Sequence, residues 1–454
     1  MLRAGLGAFD ARAKTIGEEL MKSWRTIGKS AWLGAFAAMV AFIGSGAHKV
    51  DAAETLNICH GGHPIMEASI KILEKWAKKF DVNLTSTTVA YAIFVPKITQ
   101  ILTTGSPQCD IIWHNDDWGQ LWKQYLVTTD DVPGVADFPK QPLDAFWNDE
   151  HKLTVVPMVH TVGTFFYRTD LVSENEVPKT FDELVQVSQK LQKADKVKWG
   201  YVGGMSMNNT WFSLWWTMWN NQCDILKPIY ARTVKEWSAD NWTPIIDQPC
   251  HQEIVEYWWD ALHKHKISPE AMTTYGRNEA NAIFEAGDAA FTVADSTFWG
   301  EFNDKNKSLV AGKIGMAKFP HGPRRTKPIS WDDIGGWAIP KAISPEHQKL
   351  AKQILGAMLT DTDGQIGMWD ATGGPPPSVK AFEVLQQKDP VFQKLQKAVF
   401  DEEHVHSAYY FANWPQLHKA YSDVAIKALT GPREAIPQVL KDGVKTLHEV
   451  AVAQ

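Results

Sequence analysis

Short apolar segments alternate with amphipathic helical segments along this chain from residue 56 onward, and this alternation sets its fold class. Residues 56–59 (LNIC) are typical of a short buried strand, and the apolar residues of 64–80 recur at helical spacing. Residues 83–89 and 110–113 repeat the strand pattern. A parallel pair of strands needs a long crossover, usually a helix, so strands that alternate with helices predict doubly wound sheets. The predicted fold class is α/β, with mainly parallel sheets flanked by helices.

The length predicts more than one compact unit. A chain of 454 residues exceeds what one hydrophobic core usually organises. It also carries 21 Trp, more than a core of this size usually holds. Because the indole N–H needs a partner, surplus Trp often lies in clefts and interfaces. We expect most of these indoles in the core and the remainder in a ligand cleft.

The N-terminus has the three parts of a secretory signal peptide. A basic stretch precedes the uncharged apolar run of residues 31–47, and Val50-Asp51-Ala52 offers a cleavage site. The run is shorter than the roughly 20 residues of a membrane-spanning helix. We expect residues 1–52 to be a signal peptide cleaved near Ala52, with residues 1–20 an upstream extension if Met21 is the true start.

Charge and cysteine content agree with export. The chain has 46 Lys/Arg and 52 Asp/Glu, of which residues 1–52 hold seven and four, so the mature part keeps 39 and 48, a net charge of −9. That balance argues against nucleic acid and anionic membranes as partners. In an oxidising compartment Cys223 and Cys250 are predicted to form a disulfide, and Cys59 could pair with Cys109, although sequence alone does not decide connectivity.

Polar and aromatic residues gather where predicted strands end. His63 closes the glycine turn after the first strand, Tyr91 follows the second, and Asp116 and Asp117 follow the third. In open α/β sheets, ligands bind beyond the carboxyl ends of the strands. Residues 331–337 (WDDIGGW) add carboxylates and indoles beside glycines that permit close approach of the backbone.

Five motifs occur in one order along the chain. They lie at residues 105–112, residues 167–184, residues 284–291 followed by Trp299, residues 335–340, and residues 429–431. In this order, behind a signal peptide, they resemble the extracellular solute-binding protein family that includes maltose-binding protein, over nearly the whole mature chain.

The resemblance implies two α/β lobes joined by hinge strands. One lobe would hold residues 54–160 and 328–371, and the other residues 161–327 and 372–454. Such proteins close around a ligand and then dock on the permease subunits of an ABC importer. The implied protein is a periplasmic monomer that binds a carbohydrate or polyol, without cofactor, metal or catalytic residue.

Residue by residue, the resemblance also implies a ligand site. Asp116 and Asp117 match a charged ligand loop, and Asn209 and Trp211 match an acidic and aromatic pair whose acid is missing here. Thr161 stands where the family has another acidic contact, so maltose itself is not the expected ligand. Carboxylates and amides suit sugar hydroxyls, and aromatic faces suit sugar C–H patches. The predicted ligand-binding residues are His63, Tyr91, Trp113, Asp116, Asp117, Asn209, Trp211, Asp295, Trp299, Trp331, Asp333, Gly336 and Trp337.

Three other functions share parts of this pattern. An exported glycosidase would also use Trp and two carboxylates, but neighbouring aspartates on a strand point to opposite faces. A zinc protein could use residues 59–63 or His404 and His406, whose spacing matches no complete site. An aromatic cleft with carboxylates would also suit an organic cation, and relatives of this superfamily bind phosphorylated polyols.

Overall fold

The computed structural model describes residues 53–138, 143–206, 209–232, 242–409 and 413–452. The predicted signal peptide, its cleavage near Ala52 and the upstream extension lie outside the described residues. Within the described part, no helix is both long and apolar enough to cross a membrane.

The first part of the chain builds parallel strands with helices between them. Its elements are β1 (Glu54–His60), α1 (Pro64–Lys79), β2 (Val82–Thr88), α2 (Tyr91–Thr103) and β3 (Ile111–Asn115). β1 pairs in parallel with both β2 and β3. α1 begins after His63, whose Nδ1 accepts a hydrogen bond from the Ile65 amide at 3.3 Å. Because β1 and β3 are parallel, their carboxyl ends lie at the same edge of the sheet.

Two long strands connect this part with the second part. They are β4 (Val156–Arg168) and β10 (Ile329–Ala338), which pair with each other antiparallel over residues 156–162 and 332–337. One end of β10 pairs with β3, and the far end of β4 pairs with β8. The chain thus passes between the two groups of strands along a shared central ladder.

The second part repeats the alternation of strands and helices. Its elements are α3 (Phe181–Lys193), β5 (Trp199–Val202), α4 (Leu214–Trp219), β6 (Leu226–Lys227), β7 (Thr243–Pro244), α5 (Pro249–Trp259), α6 (Arg277–Glu285), β8 (Ala289–Asp295) and β9 (Ile314–Ala317). β5 and β8 are parallel, and β9 lies antiparallel to β4. Thr180 caps α3 by accepting a hydrogen bond from the Glu183 amide at 3.2 Å.

Helices dominate the C-terminal part. The elements are α7 (Pro345–Leu359), α8 (Thr362–Thr372), α9 (Val379–Lys388), α10 (Pro390–Leu395), β11 (Glu403–His406), α11 (Trp414–Thr430) and α12 (Ile436–Val452). A π-helical segment, Gln396–Phe400, continues α10. β11 pairs in parallel with the start of β10. The two last helices pack on each other and on α5, which closes the second part.

One nine-stranded sheet joins both parts. Its order is β2-β1-β3-β10-β4-β8-β5, with β11 on β10 and β9 on β4. The main core lies against this sheet and includes the fully buried indoles of Trp215, Trp216 and Trp219 on α4. The predicted α/β class is confirmed, with antiparallel pairs where the chain crosses the middle. The proposed lobe boundaries, 54–160 plus 328–371 and 161–327 plus 372–454, stay a prediction.

Local sequence patterns predict helices over residues 96–103 and 280–284, and in the structure both helices begin earlier. α2 starts at Tyr91 rather than at Pro96, because its buried apolar face, which includes Phe94 and Ile98, offsets the hydrogen bond that Pro96 cannot donate. α6 starts at Arg277 rather than at residue 280. The Asn209 side chain caps it across 68 residues by accepting from the Arg277 amide at 2.9 Å, a contact that no local pattern shows.

Both cysteine pairs are bonded in the structure. Cys223 pairs with Cys250, with a Cα–Cα distance of 5.7 Å. Cys59 at the end of β1 pairs with Cys109 before β3, at 5.8 Å. The second bond ties together two neighbouring strands whose carboxyl ends border the site described next.

Candidate ligand-binding site

A cavity of about 270 Å³ lies beyond the carboxyl ends of β3 and β8, beside the middle of β10. We call it the site cavity. It is lined by Tyr91, Asn115, Asp117, Asn209, Trp211, Phe212, Gly276, Arg277, Asn278, Glu279, Asp295, Trp331, Asp333 and Ser407. The structure therefore brings together, from distant segments, the predicted residues Tyr91, Asp117, Asn209, Trp211, Asp295, Trp331 and Asp333.

The first part of the chain supplies one wall. Tyr91, the first residue of α2, accepts a hydrogen bond at its Oη from Asn115 Nδ2 at 3.3 Å. Asn115 ends β3, and Asp117 lies in the single 3-10 turn that follows. The Asp117 Oδ1 atom is buried and has no hydrogen-bond partner among the described residues. A buried carboxylate oxygen without a partner is costly, so this atom is suited to accept a ligand hydroxyl or ammonium group.

The second part of the chain supplies a cation on the opposite wall. The Arg277 guanidinium donates to Asp295 Oδ2 at 3.2 Å and lies over the Phe298 ring at 4.8 Å. Its Nε is buried without a partner among the described residues. Asn209 holds the start of α6 and thereby fixes the backbone that carries Arg277. This wall can donate as well as accept hydrogen bonds.

Aromatic rings form the remaining surface. Trp211 is half-buried, and its Nε1 donates to the Ser407 carbonyl oxygen at 3.0 Å. Its ring packs against His418 at 4.4 Å and against Trp215, and its remaining surface lines the cavity. Trp331 is only 2% exposed and contributes little of its surface to the cavity. Its ring lies against Gly163, where a Cβ would come within 2.3 Å of it. Trp211 is therefore the indole better placed to stack on a ligand.

The carboxylates of the site raise one another's pKa. Burial and the neighbouring Asp333 charge hold the pKa of Asp117 well above its usual value. Burial, together with Asp116 and Asp295, does the same to Asp333. The pKa of Asp295 is raised by burial although Arg277 opposes the shift. Like charges in a poorly solvated space favour protonation, so the site gains from any ligand that satisfies or neutralises these oxygens.

Several predicted residues lie next to the cavity without lining it. His63 caps α1 and contacts the Phe298 ring edge-on at 5.1 Å, and burial holds its pKa well below the usual value. Asp116 is 2% exposed and accepts from the Ile334 amide at 3.4 Å, so it ties the turn after β3 to β10. Both residues support the walls of the cavity from behind.

Other predicted residues have visible packing roles. The Trp113 and Trp337 rings meet edge to face at 5.0 Å inside the core, where β3 and β10 pair. Gly336 lies where a Cβ would come within 2.3 Å of the Val156 carbonyl oxygen, so it permits β10 to approach β4. Trp299 lines a different cavity.

Sequence reasoning missed Arg277, which is the one cationic side chain among the described residues that line the site cavity. Arg277, Asn278 and Glu279 form a polar run that directly precedes the predicted helical residues 280–284. A cation in the first turn of a helix is unfavourable to the helix dipole. An arginine at this unfavourable position was the sequence feature that could have indicated a functional role.

Metal ligation has no support in the described part of the chain. No group of three or more His, Cys, Asp or Glu side chains there is arranged to hold a metal ion. His160 and His406 instead contact Asp332 at 3.0 Å and 2.5 Å, and His404 Nδ1 lies 4.0 Å from the same carboxylate.

Comparison with known proteins identifies a family. The family model described as bacterial extracellular solute-binding protein matches residues 62–365. A probable ABC transporter-binding protein from Deinococcus radiodurans is 29% identical over 208 residues, which are 45% of this chain and 46% of that protein. The aligned region thus spans less than half the length of that relative.

Solved structures share the fold. A maltose-bound protein from T. maritima superposes with a TM-score of 0.76 and 21% identity, covering 88% of this chain and 100% of that one. An ABC transporter solute binding protein from Agrobacterium radiobacter, in complex with ribitol, has a TM-score of 0.71 and 18% identity and covers 87% and 98%. These likenesses confirm the predicted two-lobed architecture.

Proposed function

This chain belongs to the family of bacterial extracellular solute-binding proteins, and we propose that it captures a carbohydrate or polyol for an ABC importer in the periplasm. Closure of the two lobes would hold the ligand in the site cavity, and the closed protein would deliver it to the permease. The proposal includes export with cleavage near Ala52, a monomeric receptor and no chemical step.

The combination of unpartnered polar atoms and an aromatic face in one cavity carries this proposal. Asp117 Oδ1 can accept from a hydroxyl, Arg277 Nε can donate to one, and Trp211 offers a flat surface to C–H groups. Polyols and sugars present all three surfaces together. The volume of about 270 Å³ favours one ring or a short open-chain polyol over an oligosaccharide.

A panel of ligands tests the proposal on the mature chain. Thermal unfolding with sugars, polyols, organic cations and phosphorylated polyols would find the ligand class, because a ligand at a hundredfold excess over its Kd stabilises the folded state by about 2.7 kcal/mol. We expect a hit among sugars or polyols, recovered chemically unchanged. A ligand converted to product would contradict the proposal and favour an exported hydrolase.

Substitution of Trp211 locates the binding. Trp211→Ala removes the stacking surface and should weaken binding of the hit about tenfold or more in calorimetric titration, since aromatic contacts contribute about 1 to 2 kcal/mol. Trp76→Ala is the matched control, because that indole is half-buried on α1, away from the cavity. Equal weakening by both substitutions would place the ligand elsewhere.

The acidic surplus of the site cavity favours an organic cation as the second candidate. Its lining contains Asp117, Asp295, Asp333 and Glu279 against the single cation Arg277. This same surplus disfavours a phosphorylated polyol, whose phosphate would meet like charges.

The pH dependence of affinity separates a cation from a neutral polyol. The pKa values of Asp117 and Asp333 are raised, so both groups ionise only as pH rises through a range above their usual one. Affinity for a cation should then increase with pH by up to tenfold per unit per ionising group. Affinity for a neutral polyol should change only a few-fold. A steep rise with pH would favour the cation.

A further inference from the structure

A second cavity, of about 560 Å³, lies between the end of β4, strand β9 and the segment that follows α10. We call it the lateral cavity. It shares no lining residue with the site cavity. Ligand cavities for small molecules typically measure about 300 to 1,000 Å³, so its size suits one small molecule rather than a macromolecular surface.

The floor of the lateral cavity is apolar. Tyr167 lies flat against Gly315 of β9, where a Cβ would come within 2.3 Å of the ring. Phe319 and Ala398 are buried beside it, and the half-buried Trp299 adds an indole. Contact with these groups would remove apolar ligand surface from water, which favours binding.

The rim of the lateral cavity is basic. Lys179, Lys394 and Lys397 line it, are exposed, and form no ion pair within the described residues. Lys318 is also on the rim but is paired with Glu402. Glu174 is the acidic residue among the lining side chains. Three unpaired ammonium groups around an apolar floor form a local positive surface on a chain whose net charge is −6.

We propose that the lateral cavity binds an amphipathic organic anion, with its apolar body on the floor and its carboxylate or sulfonate beside Lys394 and Lys397. The two lysines are three residues apart, at the end of α10 and in the π-helical segment that continues it, so both ammonium groups reach the same side of the cavity. A neutral sugar has no group that needs these charges, so this site is separate from the transport ligand and independent of the function proposed above.

Decanoate and anilinonaphthalene sulfonate are the probes. Calorimetric titration of the mature protein should show one site for either anion, with affinity that falls as salt rises, because the exposed lysines are screened. Decyltrimethylammonium, which has the same chain and the opposite charge, should bind at least tenfold more weakly than decanoate. Equal affinity for decanoate and decyltrimethylammonium would overturn the proposal.

Charge reversal assigns the binding to this cavity. The double variant Lys394→Glu, Lys397→Glu should weaken decanoate binding about tenfold or more. The control Lys380→Glu, Lys388→Glu makes the same charge change on exposed, unpaired residues of α9 that do not line the cavity, and should bind decanoate as the unmodified protein does. Equal loss in both variants would show a general charge effect and overturn the proposal.

Two further results separate the cavities. Ala398→Leu fills the lateral cavity from its floor and should abolish binding of the sulfonate probe. The ligand of the site cavity should bind Ala398→Leu and the Lys394→Glu, Lys397→Glu variant with unchanged affinity. Displacement of the probe by that ligand, or loss of probe binding in Trp211→Ala, would place the anion in the site cavity and contradict the proposal.

Discussion

Asp117 and Asp333 reach the site cavity from separate elements, one from the turn after β3 and the other from the middle of β10. Sequence reasoning selected Asp117 because it follows a predicted strand, and Asp333 because it lies in a segment of carboxylates and indoles beside glycines. Their environment adds a consequence that the sequence did not contain. Burial and the neighbouring carboxylates raise both pKa values, so each of these groups destabilises the folded protein once it ionises, unless a ligand satisfies its oxygens.

Asp333→Asn should therefore stabilise the free protein and weaken ligand binding. A carboxyl whose pKa is raised in the folded state stabilises that state at low pH, and the contribution is lost as pH rises through the folded pKa. At pH 8 the amide should raise the free energy of unfolding by about 1 to 2 kcal/mol, with a smaller gain at pH 4. Urea unfolding at both pH values measures this. Asp137→Asn, at an exposed position, should change little.

At the scale of elements, β10 places its neighbouring aspartates on opposite faces. Asp333 enters the site cavity, whereas Asp332 faces His160 of β4 and His406 of β11. Burial alone would raise the pKa of Asp332, but the charge of His406 and the hydrogen bond with His160 hold it far below its usual value. This carboxylate joins the three strands that meet at the centre of the molecule.

Asp332→Asn should have the opposite effect on stability from Asp333→Asn. Breaking a buried charged cluster by removing one member costs about 3 kcal/mol or more. Because the folded pKa is lowered, this contribution is present above the usual aspartate pKa of 3.8 and is lost as pH falls through the lower folded value. Urea unfolding at pH 6 should show the full loss, and the difference from the unmodified protein should shrink toward pH 3. Stabilisation at pH 6 would contradict the assigned role.

At the scale of the whole molecule, the site cavity draws its walls from both parts of the chain, which are connected by β4 and β10. A ligand that contacts both walls stabilises their approach, so binding should favour a more closed form. X-ray scattering should give a smaller radius of gyration after addition of the ligand found in the panel. At a ligand concentration near the Kd of the unmodified protein, Trp211→Ala should stay close to the radius of the free protein, because its binding is about tenfold weaker. An unchanged radius for both proteins would contradict hinge closure.

The sequence by itself determined the α/β class and the segments that border the site. Alternating strand and helix patterns are local, and the rule that ligands bind beyond strand ends turns a local pattern into a location. Tyr91 and Asp117 could be selected in this way, whereas Trp211 was selected through the family resemblance. The fold family also followed from ordered motifs, since each motif lies within a few neighbouring residues.

Tertiary structure alone decided which of these residues share a cavity and which form its support. Trp113 and Trp337 were predicted to bind the ligand, as Trp211 was, but the pairing of β3 with β10 encloses their rings in the core. Arg277 entered the site because Asn209, 68 residues away, caps the helix that carries it. Contacts between distant segments depend on strand pairing and on the burial of whole faces, which local sequence patterns do not encode.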